Sequence, residues 1–143
     1  MPVIHTSVTT DLAPAEALRI LTDFGPGRAA AFPNVDQSTL IVHEVGDTWA
    51  DVTEGNKLGW ERERYDWDPA AGTITAVTTE SNLWAAGSRW DYRIAAADGG
   101  GSTVQVRLER HAKGVMGHLV GALIPLLGAR TVRSGLVSAL SAH

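Results

Sequence analysis

From Ser38 to Ala112 hydrophobic and polar residues alternate with a period of two, the spacing of half-buried strands. Gly46-Asp47, Gly55-Asn56, Asp68 to Gly72, Ala85-Ala86-Gly87 and Asp98 to Gly101 interrupt the alternation with turn chemistry. They divide it into six segments, which predicts an antiparallel meander. Val3–Thr10, rich in Val, Ile and Thr, reads as a strand before it. Pro14 then suits the first turn of a helix, where Ala17, Leu18, Leu21 and Phe24 form an apolar stripe. Gly25-Pro26-Gly27 stops that helix, and Arg28 to Phe32 forms a further short turn before Pro33. Lys113 to Ala142 is helical by pattern, with a kink expected at Pro125.

The most apolar run, Gly114–Ala129, is shorter than the ~20 residues a membrane span needs, and Pro125 and Arg130 interrupt its continuation. The expectation is a helix packed on a sheet, with no stable membrane insertion. No linker, low-complexity tract or repeat divides the 143 residues, so residues 1–143 are expected to form one domain. The start, MPVIHTSVTT, has neither the basic nor the apolar region of a signal peptide, and a cytoplasmic protein is expected.

Composition narrows the chemistry. With no cysteine, the chain has no disulfide, thiolate metal site or cysteine nucleophile. His5, His43, His111, His118 and His143 include no two at metal-ligand spacing on one face, and no metal or other cofactor is expected. A net charge of −4 argues against nucleic acid as a partner. The charge is uneven, however: residues 105–143 hold five cations against Glu109 alone, a balance of +4, leaving −8 for the rest. No G-x-S-x-G motif or phosphate-binding loop is present, and no catalytic residue is assigned.

Three passages carry a family resemblance: Val8 to Phe24 with its Leu21-Thr22-Asp23 ending, Phe32-Pro33-Asn34-Val35, and the Gly- and Leu-rich Gly114 to Leu140. Together with the order of elements they resemble the START-related (SRPBCC) superfamily, in its polyketide cyclase/dehydrase-like branch. That resemblance implies an α+β helix-grip fold. A curved antiparallel sheet of about seven strands wraps a long C-terminal helix, with two short helices between the first two strands. It also implies a cavity between sheet and helix for a lipid-, polyketide- or polycyclic aromatic-like molecule.

Strand registers estimated from the turns decide which side chains enter that cavity. The Gly87–Ala112 hairpin sets Asp91 opposite Arg107 and Arg89 opposite Glu109, which turns Trp90 and Tyr92 inward. A short turn at 83–87 pairs Thr78 with Tyr92 and Glu80 with Trp90, which brings Ala76, Thr78 and Glu80 to the same inner face, and pairing Trp67 with Thr73 across the turn before it adds Trp60, Arg62 and Arg64. A two-residue turn at Gly55-Asn56 sets Asp51 opposite Trp60 and Trp49 opposite Arg62, which adds Trp49 and Asp51. Met116, Leu119 and Gly121 on the last helix complete the set of expected ligand contacts. Gly114, Gly121, Gly128 and Gly135 recur every seven residues, with Gly117 beside them, as a close-packing stripe, an empty volume or a seam for a homodimer.

Binding of a small hydrophobic molecule is the favoured function. A cyclase or dehydratase using the cavity Arg, Glu and Asp groups is an alternative, as is a membrane-surface or quinone-handling module.

Overall fold

In the computed structural model, residues 3–141 are described, apart from the side chains of Leu126 and Leu127. Ala142, expected to end the last helix, lies outside them.

The chain opens with strand β1 (Val3–Thr10) and two short helices, α1 (Pro14–Leu21) and α2 (Arg28–Ala31). Six strands follow: β2 (Ile41–Val45), β3 (Trp49–Gly55), β4 (Trp60–Asp68), β5 (Thr73–Ser81), β6 (Arg89–Ala96) and β7 (Ser102–Glu109). They form one antiparallel sheet in the order β1-β7-β6-β5-β4-β3-β2, the meander that the turn spacing predicts, closed by β1 on its last strand. The C-terminal segment is α3 (Gly114–Leu123), a π-helical turn (Ile124–Gly128) and α4 (Ala129–Ser141). The expected kink is this wide turn, which accommodates the missing N–H of Pro125. The whole is an α+β helix-grip fold.

One face of the sheet packs on the helices. Val8, Ala50, Val52, Ile74, Ala76, Ile94, Val104 and Val106 meet Ala17, Leu18 and Leu21 of α1 and Leu136, Ala139 and Leu140 of α4 in the core. No helix among the described residues is long and apolar enough to cross a membrane.

The β6–β7 register is the predicted one, with Asp91 opposite Arg107 and Arg89 opposite Glu109. Two other registers differ by four residues, an even number that preserves facing. Asp51 lies opposite Arg64, because the β3–β4 loop spans residues 56–59 and Asn56 Oδ1 accepts the N–H groups of Leu58 and Gly59. Tyr92 lies opposite Ile74, because Ser81 Oγ accepts the N–H groups of Leu83 and Trp84 and turns the chain out of β5 early.

The β4–β5 turn is where the prediction fails. Asp68, not Trp67, faces Thr73. Asp68 Oδ1 accepts the N–H groups of Ala70 and Ala71, and Gly72, at φ 70°, closes the tighter loop through its own N–H to Asp68 O. A one-residue slip reverses every side chain of a strand. Glu61, Glu63, Tyr65 and Trp67 therefore face the helices, while Arg62, Arg64 and Asp66 face away. A bulge at Thr79 then sets Arg62 opposite Glu80.

Candidate functional site

The inward reversal of β4 places a polar cluster under the helices. Arg28, the first residue of α2, is 5% exposed, and its guanidinium donates from Nε to Glu54 Oε2 (3.0 Å) and from Nη2 to Glu54 Oε1 (3.1 Å). Nη1 donates to Leu21 O at 2.9 Å. The guanidinium lies over the rings of Phe24 and Phe32, at 4.5 and 4.2 Å from their centroids. The Tyr65 hydroxyl donates to Glu54 Oε1. Burial works to raise the Glu54 pKa, but Arg28 and the Tyr65 hydrogen bond outweigh it and hold the carboxylate below its ordinary range.

A second pair sits further along the same face. Arg110 donates from Nη1 and Nη2 to the two oxygens of Glu61, at 2.8 and 2.7 Å, and Thr78 Oγ1 donates to Glu61 Oε1 at 2.8 Å. Arg110 also lies 4.9 Å from the Trp84 ring centroid and 5.1 Å from that of Trp90. Each buried guanidinium is thus matched bidentately by one carboxylate.

Glu63 is the carboxyl left over. It is 2% exposed, its Oε1 lies 3.4 Å from the Tyr65 hydroxyl oxygen, and its Oε2 has no hydrogen-bond partner among the described residues. Burial first, then Glu61 and Glu54, push its pKa well above the ordinary carboxylate value against the pull of Arg110 and Arg28. The protonated form is therefore favoured. Burial and then Glu63 are the leading causes that raise the pKa of the Tyr92 phenol.

Trp90 and Tyr92 stack, with centroids 6.1 Å apart and ring planes within 9°. Both face the helices and pack against the core, yet are only half-buried. Gly121, on the contact side of α3, lies by Trp84: a Cβ on it would meet Trp84 Cζ3 at 3.6 Å, an ordinary contact. Gly117 and Gly128 are tight positions, their missing Cβ atoms falling against the carbonyl of Leu83 and the side chain of Ile4, whereas Gly114 and Gly135 face open space. The seven-residue glycine spacing therefore does not mark one packing seam.

The expected ligand contacts divide. Thr78, Trp90, Tyr92 and Gly121 border the interior. Trp49, Asp51, Arg62 and Glu80 lie on the outer face of the sheet, and alternation puts Trp60 with Arg62. There Arg62 pairs bidentately with Asp51 (2.9 and 2.7 Å), lowering the Asp51 pKa through that hydrogen bond, and Arg64 stacks 4.3 Å from the Trp49 ring centroid. These residues line an open groove of about 560 Å³. A second depression of about 900 Å³ runs across β1, β7, β6 and β5 among His5, Asp91, Arg93 and Arg107. Met116 and Leu119 are solvent-exposed on α3, at 52% and 61%.

Sequence reasoning missed Arg28, Glu54, Glu61, Glu63, Tyr65 and Arg110. The signal lay in β4 itself: Tyr65 and Trp67 are in phase with Glu61 and Glu63, whereas Asp66 and Asp68 are in phase with Arg62 and Arg64. No group of three or more His, Asp or Glu placed to hold a metal ion occurs among the described residues.

Residues 1–140 match the family model described as polyketide cyclase / dehydrase and lipid transport. The chain belongs to this family. Among solved structures similar to this family member, the Zhui aromatase/cyclase of Streptomyces sp. R1128 superposes with a TM-score of 0.81 at 15% identity, covering 99% of this chain and 92% of that one. A protein of Thermus thermophilus gives 0.80 at 16% identity, covering 98% and 95%. A START superfamily protein of Mycobacterium smegmatis gives 0.67 at 12%, covering 92% and 94%. At these identities the likeness is one of fold. A search of curated protein sequences finds no match.

Proposed function

We propose that this polyketide cyclase/dehydrase-family chain binds a small, largely apolar molecule between its sheet and C-terminal helix. Trp90, Tyr92, Thr78 and Gly121 border the ligand. The stacked Trp90–Tyr92 pair carries the reading, because large inward rings left half-buried offer apolar area that a ligand can cover. The neighbouring guanidiniums of Arg28 and Arg110 are matched within the protein, so a neutral ligand meets neither of them unpaired. The neutral fluorophore N-phenyl-1-naphthylamine tests this. It should bind with enhanced emission, and Trp90→Ala with Tyr92→Ala should weaken it at least tenfold. Equal binding by parent and variant would contradict the reading.

A second reading, contact with a membrane surface, is supported by α3. Val115, Met116, Leu119 and Leu123 are exposed on it, and residues 110–143 contain cations but no acidic residue. Cosedimentation with vesicles containing phosphatidylserine, lost in Leu119→Ser/Leu123→Ser, would support it. Absence of cosedimentation at low salt would remove it.

A further inference from the structure

The interior cluster holds three carboxyl groups, of Glu54, Glu61 and Glu63, against two guanidinium groups, of Arg28 and Arg110. Two carboxylates take both guanidiniums with two hydrogen bonds each, and neither is left for the third. A third negative charge at that depth is unfavourable, so Glu63 keeps its proton. That proton has no good acceptor among the described residues. The Tyr65 oxygen is 3.4 Å away, at the outer limit of a hydrogen bond, and already receives Arg28 Nη2 at 3.3 Å. Glu63 Oε2 is without a partner among the same residues.

We infer that Glu63 is the polar anchor of the interior site, donating a hydrogen bond from its neutral carboxyl to an acceptor oxygen of the ligand, such as a ketone, quinone or phenol oxygen. This rests on the proposed binding between sheet and helix and adds a rule of selection. A ligand with a neutral acceptor completes the hydrogen bond that the protein leaves open. A ligand carboxylate meets Glu54, Glu61 and Glu63 with both guanidiniums occupied, and is rejected. Glu63 thus acts as a specificity-determining residue: it chooses neutral oxygenated ring systems over fatty-acid-like anions. Its place suits the task, since it lies opposite Thr78 on β5, and β5 pairs with β6, the strand that carries Trp90 and Tyr92.

The test uses three molecules of one shape, 2-acetylnaphthalene, 2-naphthoate and 2-ethylnaphthalene, each displacing N-phenyl-1-naphthylamine at pH 7.5. The ketone should bind the parent at least tenfold more tightly than the carboxylate. Glu63→Leu should weaken the ketone at least tenfold while leaving the ethyl compound within threefold. Glu63→Gln, which keeps a donor without a charge, should hold the ketone within threefold. The inference is overturned if 2-naphthoate binds the parent as well as the ketone, a comparison that does not depend on any variant folding. It is equally overturned if Glu63→Leu leaves the ketone unchanged or weakens ketone and hydrocarbon alike. Failure of all three compounds and the fluorophore to bind would instead remove the binding proposal, and this inference with it.

Discussion

Replacing Arg28 by Met leaves Glu54 buried with only the Tyr65 hydroxyl donating to it, and removes the cation held between Phe24 and Phe32. Arg28 is 5% exposed and Glu54 7%, so neither water nor another described cation replaces the lost partner. Breaking a buried pair from one side costs about 3–5 kcal/mol, because the remaining charge is uncompensated. That is a large part of the roughly 5–15 kcal/mol that holds a domain folded. Urea unfolding followed by tryptophan fluorescence reads the loss directly. Arg28→Met/Glu54→Gln should recover most of it, since Gln still accepts from Tyr65 and carries no charge. The pH dependence supplies a sign. In the parent the lowered Glu54 pKa contributes stability above the unfolded-state value of about 4.3, lost as pH falls through the folded value. In Arg28→Met burial acts on Glu54 without its partner and its pKa rises, so the deficit should narrow on acidification. A deficit under 1 kcal/mol, or a double variant no better than the single one, would refute the buried-pair account.

For Glu63, the raised folded pKa means that the native state holds a proton the unfolded chain releases, so stability falls as pH rises between the two values. The melting temperature of Glu63→Gln should therefore gain on the parent from pH 5 to pH 8, and parallel curves would refute this. Arg62→Ala removes a half-exposed pair on the outer face. It should leave the urea midpoint nearly unchanged and naphthylamine binding within twofold; a tenfold loss of binding would put the ligand on that face. Gly121→Ala should stabilise by up to about 1 kcal/mol, as Ala outranks Gly in a helix and its Cβ makes ordinary contacts, whereas Gly117→Ala should destabilise because its Cβ meets the Leu83 carbonyl. Thermal unfolding that ranks the two variants the other way would contradict the packing of α3.

Element order, strand number and the inward facing of Trp90 and Tyr92 were legible from the period and turn spacing. Facing survives an error of four residues, which is why two wrong registers on β3–β4 and β5–β6 did no harm. It does not survive an error of one. The facing of β4 was obscured because both of its phases carry charges, Glu61 and Glu63 in one, Arg62 and Arg64 in the other, and only the aromatic pair Tyr65 and Trp67 told them apart. Asp68 closing its own turn decided between them. Arg28 was out of reach for a different reason: its partner Glu54 lies 26 residues away on another element, and the helix period of α2 is too short to show a face. The exposure of Met116 and Leu119 follows from Gly117 and Gly121 taking the contact side of α3, a choice that a helix apolar but for His118 does not reveal by pattern.

The ligand is expected between sheet and helix and not in the outer grooves. The five tryptophan indole N–H signals report on this in one experiment, because Trp90 and Trp84 border the interior while Trp49 lines the outer groove. Titration of isotopically labelled protein with 2-acetylnaphthalene, followed by proton–nitrogen correlation spectra, should shift the Trp90 and Trp84 indole signals and leave that of Trp49 in place. A Trp49 signal that moves while Trp90 and Trp84 stay fixed would contradict the account.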